Sequence, residues 1–440
     1  MEPLIGFAAL LVMLFLRVQV GIAFAVVGIV GLYSLVGIRG TSTSVMTTLW
    51  STSTSYTLMT IPLFTLMGQL AGASSIGPGL YQAGTKWFGK MPGGMAIGTT
   101  WGSALLGAVT GQSQTGVTTF LPIAYKPMLD LGYDRRLALG SIVAGGTMGA
   151  MIPPSTSFII YGIITDTSIG QLFMAGVIPG LLEAVLYSIV IYLISRTGFW
   201  KGPAGQKFPL KEKLSALKDV WGMLLLFFGV IGGIYLGWFT PTEAGAVGAA
   251  GAFVILLFDR GWDWPLIKAA LVQTIEITCM VFIIIVGALI FMRFLAVAGV
   301  SGDLKNWLET TQLNPWAVLG IFLLGFFILG TVMPAMPMIL LTVPIAFPVF
   351  VGIYDFHPVW FGVIVVLMSE LAFITPPVGF NLYVGFAVLR GMVSRGLAEN
   401  VPDSVMMQAT IPFVLADIIR LLLVLAIPAL ALWLPAQMFQ

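Results

Sequence analysis

Two stretches, "AMIPPSTSFIIYG" from Ala150 to Gly162 and "AFITPPVGFNLYVG" from Ala372 to Gly385, set a double proline beside hydroxyl and amide side chains in apolar sequence. A helical carbonyl at position i−4 loses its partner when residue i is proline. Pro153 and Pro154 therefore free the carbonyls of Gly149 and Ala150, and Pro376 and Pro377 free those of Ala372 and Phe373. Ser155 and Thr156 add hydroxyls to the first interruption and Thr375 adds one to the second. Neutral carbonyl and hydroxyl oxygens suit a small hard cation such as Na⁺, as in transporters with unwound helices. The half-helix restarting beyond each interruption presents unpaired N–H groups and a positive dipole end. Ser155, Thr156, Gly379 and Asn381 sit where an anionic group drawn there would arrive.

A lone proline pair is more simply a packing kink. Two pairs, each near a polar turn in apolar sequence, favour binding. The first such turn is "TGQSQTG" (Thr110 to Gly116), which carries Gln112, Ser113 and Gln114. The second is "LGTVMPAMP" (Leu329 to Pro337), greasier, with Gly330 and Thr331 as its polar part. Both turns lie in the middle of apolar stretches, near 95–125 and 314–350. Backbone broken at membrane depth is tolerated only where protein or a water-filled cavity covers it. These stretches read as re-entrant hairpins that enter and leave on one side.

The chain around them is built for lipid. Of its 440 residues 58% are hydrophobic and 9% charged, with a mean hydropathy of +1.01; soluble domains carry roughly 25% charged residues. A net charge of +2, spread along the chain, offers no basic face for nucleic acid. Cys279 is the single cysteine and His357 the single histidine, which excludes an intrachain disulfide and the two-histidine zinc motif. No GxxxxGK[ST] loop is present, so direct ATP hydrolysis is not expected, nor is any enzymatic role. The start, Met1-Glu2-Pro3, lacks a basic region and reads as a retained helix rather than a cleaved signal. Runs of about 20 apolar residues can cross a bilayer. They fall near 3–17, 19–38, 48–72, 136–163, 171–195, 219–238, 241–258, 269–298, 357–390 and 409–434.

The chain repeats itself. Pro122-Ile123-Ala124 matches Pro344-Ile345-Ala346, Tyr133-Asp134 matches Tyr354-Asp355, Gly140 matches Gly362, and Pro153-Pro154 matches Pro376-Pro377. The offsets stay between 221 and 223. Each copy is a hairpin, a loop and a broken helix. Loops flanking the first hairpin hold Lys86, Lys90, Lys126, Arg135 and Arg136; those of the second hold Lys305 with Asp303, Glu309 and Asp355. Cytoplasmic loops gather Lys and Arg, so the copies are inverted, with the six-cation connector from Arg196 to Lys218 inside and both termini outside. Arg39 lies on the wrong side of this arrangement. Inverted repeats with discontinuous helices are the architecture of secondary transporters.

Arg17, between the first two spans, reads as an interfacial turn residue with an anion contact as the alternative. Glu183, Glu276, Glu370 and Asp417 lie in apolar spans, where such groups face protein or a cavity; proton coupling through one of them is an alternative. "FPLKEKLSALKDVW" (Phe208 to Trp221) reads as an amphipathic helix in the interface.

Several motifs in order resemble the large membrane subunit of tripartite ATP-independent periplasmic (TRAP) transporters. They are "IPLFTLMGQLA" (Ile61 to Ala71), "LGYDRRLALGSIVAGGTMGAMIPPS" (Leu131 to Ser155), "SIGQLFMAGVIPGLL" (Ser168 to Leu182), "GWFTPTEAGAVGA" (Gly237 to Ala249), "ITPPVGFNLYV" (Ile374 to Val384) and "ALWLP" (Ala431 to Pro435). The resemblance implies an all-α, multi-pass protein of a bacterial or archaeal inner membrane. It further implies an Na⁺-driven elevator importer with no cofactor beyond the coupling ion. Its implied partners are a small four-helix membrane subunit, a periplasmic substrate-binding protein, a small organic anion and the surrounding lipid.

On that pattern residues 1–78 are scaffold and 79–170 the first half of a transport domain. Residues 171–300 are scaffold with a cytoplasmic arm, 301–392 the second half, and 393–440 an arm and a C-terminal scaffold helix. One implied sodium site falls on Ser113, Gly149, Ala150 and Pro154, the other on Gly330, Thr331, Thr375 and Gly379. The substrate set is Gln112, Gln114, Ser155, Thr156, Asn381 and Arg17. Two departures stand out: Pro334 where the family often has an acid, and Ala372 where glycine is common. The glutamines of the first tip also point to altered selectivity. A stand-alone sodium–dicarboxylate carrier of related fold is the alternative.

Overall fold

The computed structural model describes residues 2–311 and 313–438; Met1, Gln312, Phe439 and Gln440 lie outside it, as do the side chains of the loop charges Lys305 and Glu309. The described chain is 82% helical without strands. It opens with α1 (Glu2–Phe15), α2 (Val20–Ser53), α3 (Thr60–Ala73) and α4 (Ile76–Phe88). The first hairpin is α5 (Gly94–Thr110) with α6 (Ser113–Asp130), and the first interrupted helix is α7 (Arg135–Met151) with α8 (Thr156–Thr165). Then come α9 (Ile169–Thr197), the short α10 (Leu210–Leu217), α11 (Trp221–Tyr235), α12 (Pro241–Arg260), α13 (Trp264–Val297) and α14 (Val300–Thr311). The second hairpin is α15 (Pro315–Val332) with α16 (Ala335–Phe347), and the second interrupted helix is α17 (Pro358–Ile374) with α18 (Phe380–Ser394). The last two helices are α19 (Asp403–Ala426) and α20 (Ala429–Gln437). Seven of the described helices are long and apolar enough to span a bilayer, or nine if two bent pairs each count once.

Two expected spans differ. The segment 48–72 is not one helix: α2 runs on to Ser53, and a separate α3 begins at Thr60. The helix ends in "STSTS", where Thr52 and Thr54 hydroxyls bond back to the Thr48 and Trp50 carbonyls at 2.7 and 2.8 Å. Such side-chain bonds compete with the backbone ladder. Earlier in α2 the backbone bends at Gly37, whose φ of 68° only glycine adopts freely. The segment 409–434 also breaks, after Ala426. Pro428 cannot donate to the Val424 carbonyl, and the Trp360 indole N–H takes that acceptor instead at 3.0 Å. The arm expected at 208–221 is α10, set at 62° to α11.

Helix contacts gather around two bodies, which touch through α3 on α5 and α13 on α16. In one, α2 lies along α13; a Cβ on Gly287 would sit 2.1 Å from the Gly21 carbonyl oxygen, so small residues set the approach. In the same body α3 packs on α12, and the Thr60 and Thr242 hydroxyls bond at 2.8 Å. The start of α12 is fixed by a capping box, with Glu243 accepting from the Thr240 N–H at 2.8 Å. The second body holds both hairpins and both interrupted helices, and α9 and α19 pack against α7 and α17 within it. Gly140 admits the Ala409 carbonyl of α19, and its counterpart Gly362 admits Tyr161 of α8 and Leu172 of α9.

Contacts across the repeats fix their relative direction. The Tyr161 hydroxyl, near the end of α8, donates to the Pro358 carbonyl at the start of α17 at 2.7 Å. At the other face Arg135, at the start of α7, pairs with Glu399, just beyond α18. One interrupted helix therefore starts where the other ends. The base of the first hairpin is held by the basic connector, through Asp134 N–H to Lys201 O at 2.7 Å and Gly93 N–H to Gly202 O at 2.8 Å. The second hairpin is rooted at the opposite face among Trp316, Phe350, Phe356 and Trp360. There His357 caps α17, its Nδ1 accepting from the Val359 N–H at 3.3 Å. The fold is two inverted repeats leaning on a helical frame.

This orientation is open to labelling. In a Cys279→Ser background, Asp355→Cys is expected to react with an impermeant maleimide in cells with a permeable outer layer. Leu131→Cys is expected to react only after the inner membrane is opened. Equal labelling of both from outside contradicts the inversion.

Candidate functional site

At the first interruption Gly107 and Gly149 let the hairpin tip touch α7: a Cβ on Gly149 would lie 2.6 Å from the Gln112 carbonyl oxygen. One on Gly111 would lie 2.6 Å from the Pro154 carbonyl oxygen. Main-chain oxygens of tip and interruption thus gather around positions that lack side chains. The Gly149 carbonyl faces proline at i+4 and has no partner there. The Ala150 carbonyl is taken by the Ser155 hydroxyl, which also caps α8 by accepting from the Phe158 N–H at 3.4 Å. Thr156 gives its hydroxyl to the Gly111 carbonyl at 3.1 Å and its N–H at 3.4 Å. Everything from Gly149 to Thr156 is buried. Of the residues expected to form a sodium site here, Ser113 and Ala150 line a common cavity, while the Ala150 carbonyl oxygen already accepts from the Ser155 hydroxyl.

The second interruption is looser. Pro377 and Val378 are exposed. A Cβ on Gly379 would lie 2.6 Å from the Phe373 carbonyl oxygen and 3.0 Å from that of Thr375, so two oxygens converge there. The Thr375 hydroxyl bonds back to the Leu371 carbonyl at 2.6 Å. Gly330 packs against Ala372 and Met338. Thr331 turns its hydroxyl into its own helix, to the Ile328 carbonyl at 2.7 Å. The greasy tip therefore brings Gly330 to the interruption but not the Thr331 hydroxyl. Helix α18 starts without a side-chain cap. In its first turn Asn381 is fully buried, and neither its amide nitrogen nor its amide oxygen has a partner. Buried polar groups are nearly always paired, so this amide is an exception in the packing behind the interruption.

Both tips meet at one cavity of ≈ 460 Å³. Gln112, Ser113, Gln114, Ala150 and Thr156 line it from the first repeat; Pro334 to Pro337, Phe373 and Phe380 line it from the second. Gln19, Ile277, Met280 and Ile284 of the frame close it. Of the substrate set, Gln112, Gln114 and Thr156 reach this cavity, whereas Ser155 and Asn381 lie behind its wall. Arg17 is exposed in the α1–α2 turn with φ of 62°, two residues from Gln19, and is not part of the lining. No signal in the sequence singled out Gln19 or the α13 residues, because their role depends on which helix faces the tips.

Behind both interruptions lies a charged cluster. Arg420 pairs with Glu183, with Glu370 at 2.8 Å and with Asp417 at 3.1 Å, and none of the four side chains is more than 1% exposed. Thr147 lies 2.9 Å from Glu183, and the Tyr187 hydroxyl donates to Asp417 at 2.8 Å. Three of the acids noted in the spans meet here; Glu276 is exposed elsewhere. Arg420 escaped the sequence reading, although "ADIIR" sets Asp417 and Arg420 at i, i+3 on one helix face.

The tip contact is testable. Gly149→Ala is expected to cost about 1–3 kcal/mol by overpacking, read as a lower unfolding temperature of the purified protein. An unchanged temperature contradicts the close approach of tip and helix.

Comparison with known proteins bears on the whole chain. Residues 7–430 match the family model "Tripartite ATP-independent periplasmic transporter, DctM component". The C4-dicarboxylate TRAP transporter large permease protein DctM of Pseudomonas aeruginosa is 34% identical over 389 residues, covering 88% of each chain. The sialic acid TRAP transporter large permease protein SiaM of Vibrio cholerae is 29% identical, covering 86% of each. The 2,3-diketo-L-gulonate large permease YiaN of Escherichia coli is 27% identical, covering 78% of this chain and 81% of its own. The crystal structure of the Alcanivorax borkumensis YdaH transporter aligns with 90% of this chain and 88% of its own, with a TM-score of 0.62 at 12% identity, a likeness of fold alone. The chain belongs to the DctM family of TRAP transporter large permeases, multi-pass proteins of the bacterial inner membrane.

Proposed function

We propose that this permease is the sodium-coupled subunit that carries a small organic anion inward by an elevator motion. The observation that carries the reading is the single cavity onto which two inverted hairpin tips and two interrupted helices converge. Sodium at the Gly149 and Gly379 oxygen clusters would lock each tip against its interruption. The anion would then meet neutral donors, Gln112, Gln114 and Thr156, and the positive ends of α8 and α18. No lysine or arginine lines the cavity among the described residues, so helix termini and the coupling ion would supply the positive potential. Relatives named for C4-dicarboxylate, sialic acid and diketogulonate transport point to carboxylates as the substrate class.

The moving body would be larger than segments 79–170 and 301–392. Helices α9 and α19 pack on α7 and α17 and are tied to them through Arg420, which favours their travelling with the tips rather than staying in the frame. The frame would be α2, α3, α12 and α13. The small membrane subunit would stiffen that frame, and a periplasmic binding protein would deliver the substrate.

Proteoliposomes test this, with radiolabelled succinate as the first probe. Uptake is expected to need an inward sodium gradient, the small subunit and the binding protein. Persistence without the binding protein supports a stand-alone carrier instead. Replacing Pro153 and Pro154 together by alanine is expected to abolish uptake by restoring partners to the freed carbonyls. Ser155→Ala and Thr375→Val are expected to raise the half-saturating sodium concentration about tenfold, or about 1.4 kcal/mol. Unchanged sodium activation in both counts against the ion sites.

A further inference from the structure

We infer that the Arg420 cluster is a positioning relay that couples ion occupancy at one interruption to occupancy at the other. The inference rests on the reading that each interruption takes a sodium ion. Thr147 and Glu370 are equivalent positions in the two repeats, each six residues before the first proline of its interruption. Both face the cluster: Thr147 lies 2.9 Å from Glu183 Oε1, Glu183 Oε2 pairs with Arg420, and Arg420 Nη2 reaches Glu370 Oε2 at 2.8 Å. Four side chains thus form one polar chain from α7 to α17, passing through α9 and α19. It links the two repeats, and none of its four residues lines the cavity.

Stability alone is a poor reason for such a cluster. Buried ion pairs lose desolvation energy that apolar residues of similar volume would not. Here one guanidinium serves three carboxyl groups, while Glu370 Oε1 and Arg420 Nε are left without hydrogen-bond partners. What the arrangement does supply is direction. A shift of α7 as its freed carbonyls close on an ion moves Thr147 and Glu183, and a planar guanidinium held by both acids transmits the shift to Glu370. Arg420 is a positioning residue, touching neither ion nor anion. Coupling of this kind is reciprocal between the two sites.

Radiosodium binding to the purified full-length chain, competed by unlabelled sodium against choline, tests it without a substrate. The wild-type curve is expected to have a Hill coefficient of about 1.4–1.8, the range that a 5- to 150-fold coupling between two sites gives. The Glu183→Gln/Glu370→Gln/Asp417→Asn/Arg420→Met variant removes the charges together and strands none. It is expected to bind sodium with a Hill coefficient of about one. Thr147→Val, which cuts the relay at its α7 end and leaves the ion group intact, is expected to lower the coefficient in the same direction; it decides the matter if the neutral variant fails to insert. Cooperative wild-type binding with an unchanged coefficient in the variants makes the cluster a packing element and overturns the relay. Non-cooperative wild-type binding also overturns it, leaving the sodium sites standing. No radiosodium binding at all removes the sodium reading, and the relay with it.

Discussion

In hydrocarbon no water completes a hydrogen bond, so a main-chain carbonyl without a partner must be covered by protein or by a ligand. That constraint organises this permease. Each double proline strips partners from the last turn of a helix, and the chain answers with a hairpin whose tip is pressed onto the gap. Glycine at 107, 111 and 149 is the condition for that contact, because any side chain there would meet a backbone oxygen or α-carbon. The interruption, the tip and the glycines are one device.

The two copies of the device are not equivalent. The first is sealed: its residues are buried, Ser155 caps α8, and Thr156 holds the tip. The second exposes Pro377 and Val378, starts α18 without a cap and meets a tip made largely of methionine and proline. Fewer fixed hydrogen bonds mean a lower cost of local opening. The second tip is therefore the easier of the two to lift. A sealed interruption in the first repeat and a loose one in the second make the two copies physically unlike within one symmetric plan.

Much of this was legible in the residues themselves. Proline pairs, tip composition, the near-constant offset and loop charge together specified the hairpins, the interruptions and the inversion, because each is a local property of the chain. Helix ends were less legible: hydropathy averaged over the "STSTS" turn and over Pro428, and neither stop lowers the mean enough to be seen. Side-chain direction was not legible at all. Thr331 looked like an ion ligand and bonds to Ile328; Arg17, read as a turn residue with an anion contact as the alternative, sits in the α1–α2 turn and stands off the lining. Arg420 joins three acids that are 237, 50 and 3 residues away in sequence, and only the folded chain reveals that they share one cation. Asn381 was legible as a polar residue beside an interruption, but not as a buried amide without partners.

Density at the two interruptions is the most direct test of the central claim. High-resolution images of the full transporter in sodium and in choline are expected to differ. In sodium, a compact feature should lie among the Gln112, Gly149 and Pro154 oxygens, with another beside the Phe373 and Thr375 carbonyls. Both should be missing in choline, with both helices still interrupted. Continuous helices at either proline pair, or identical empty density in both salts, would contradict the account.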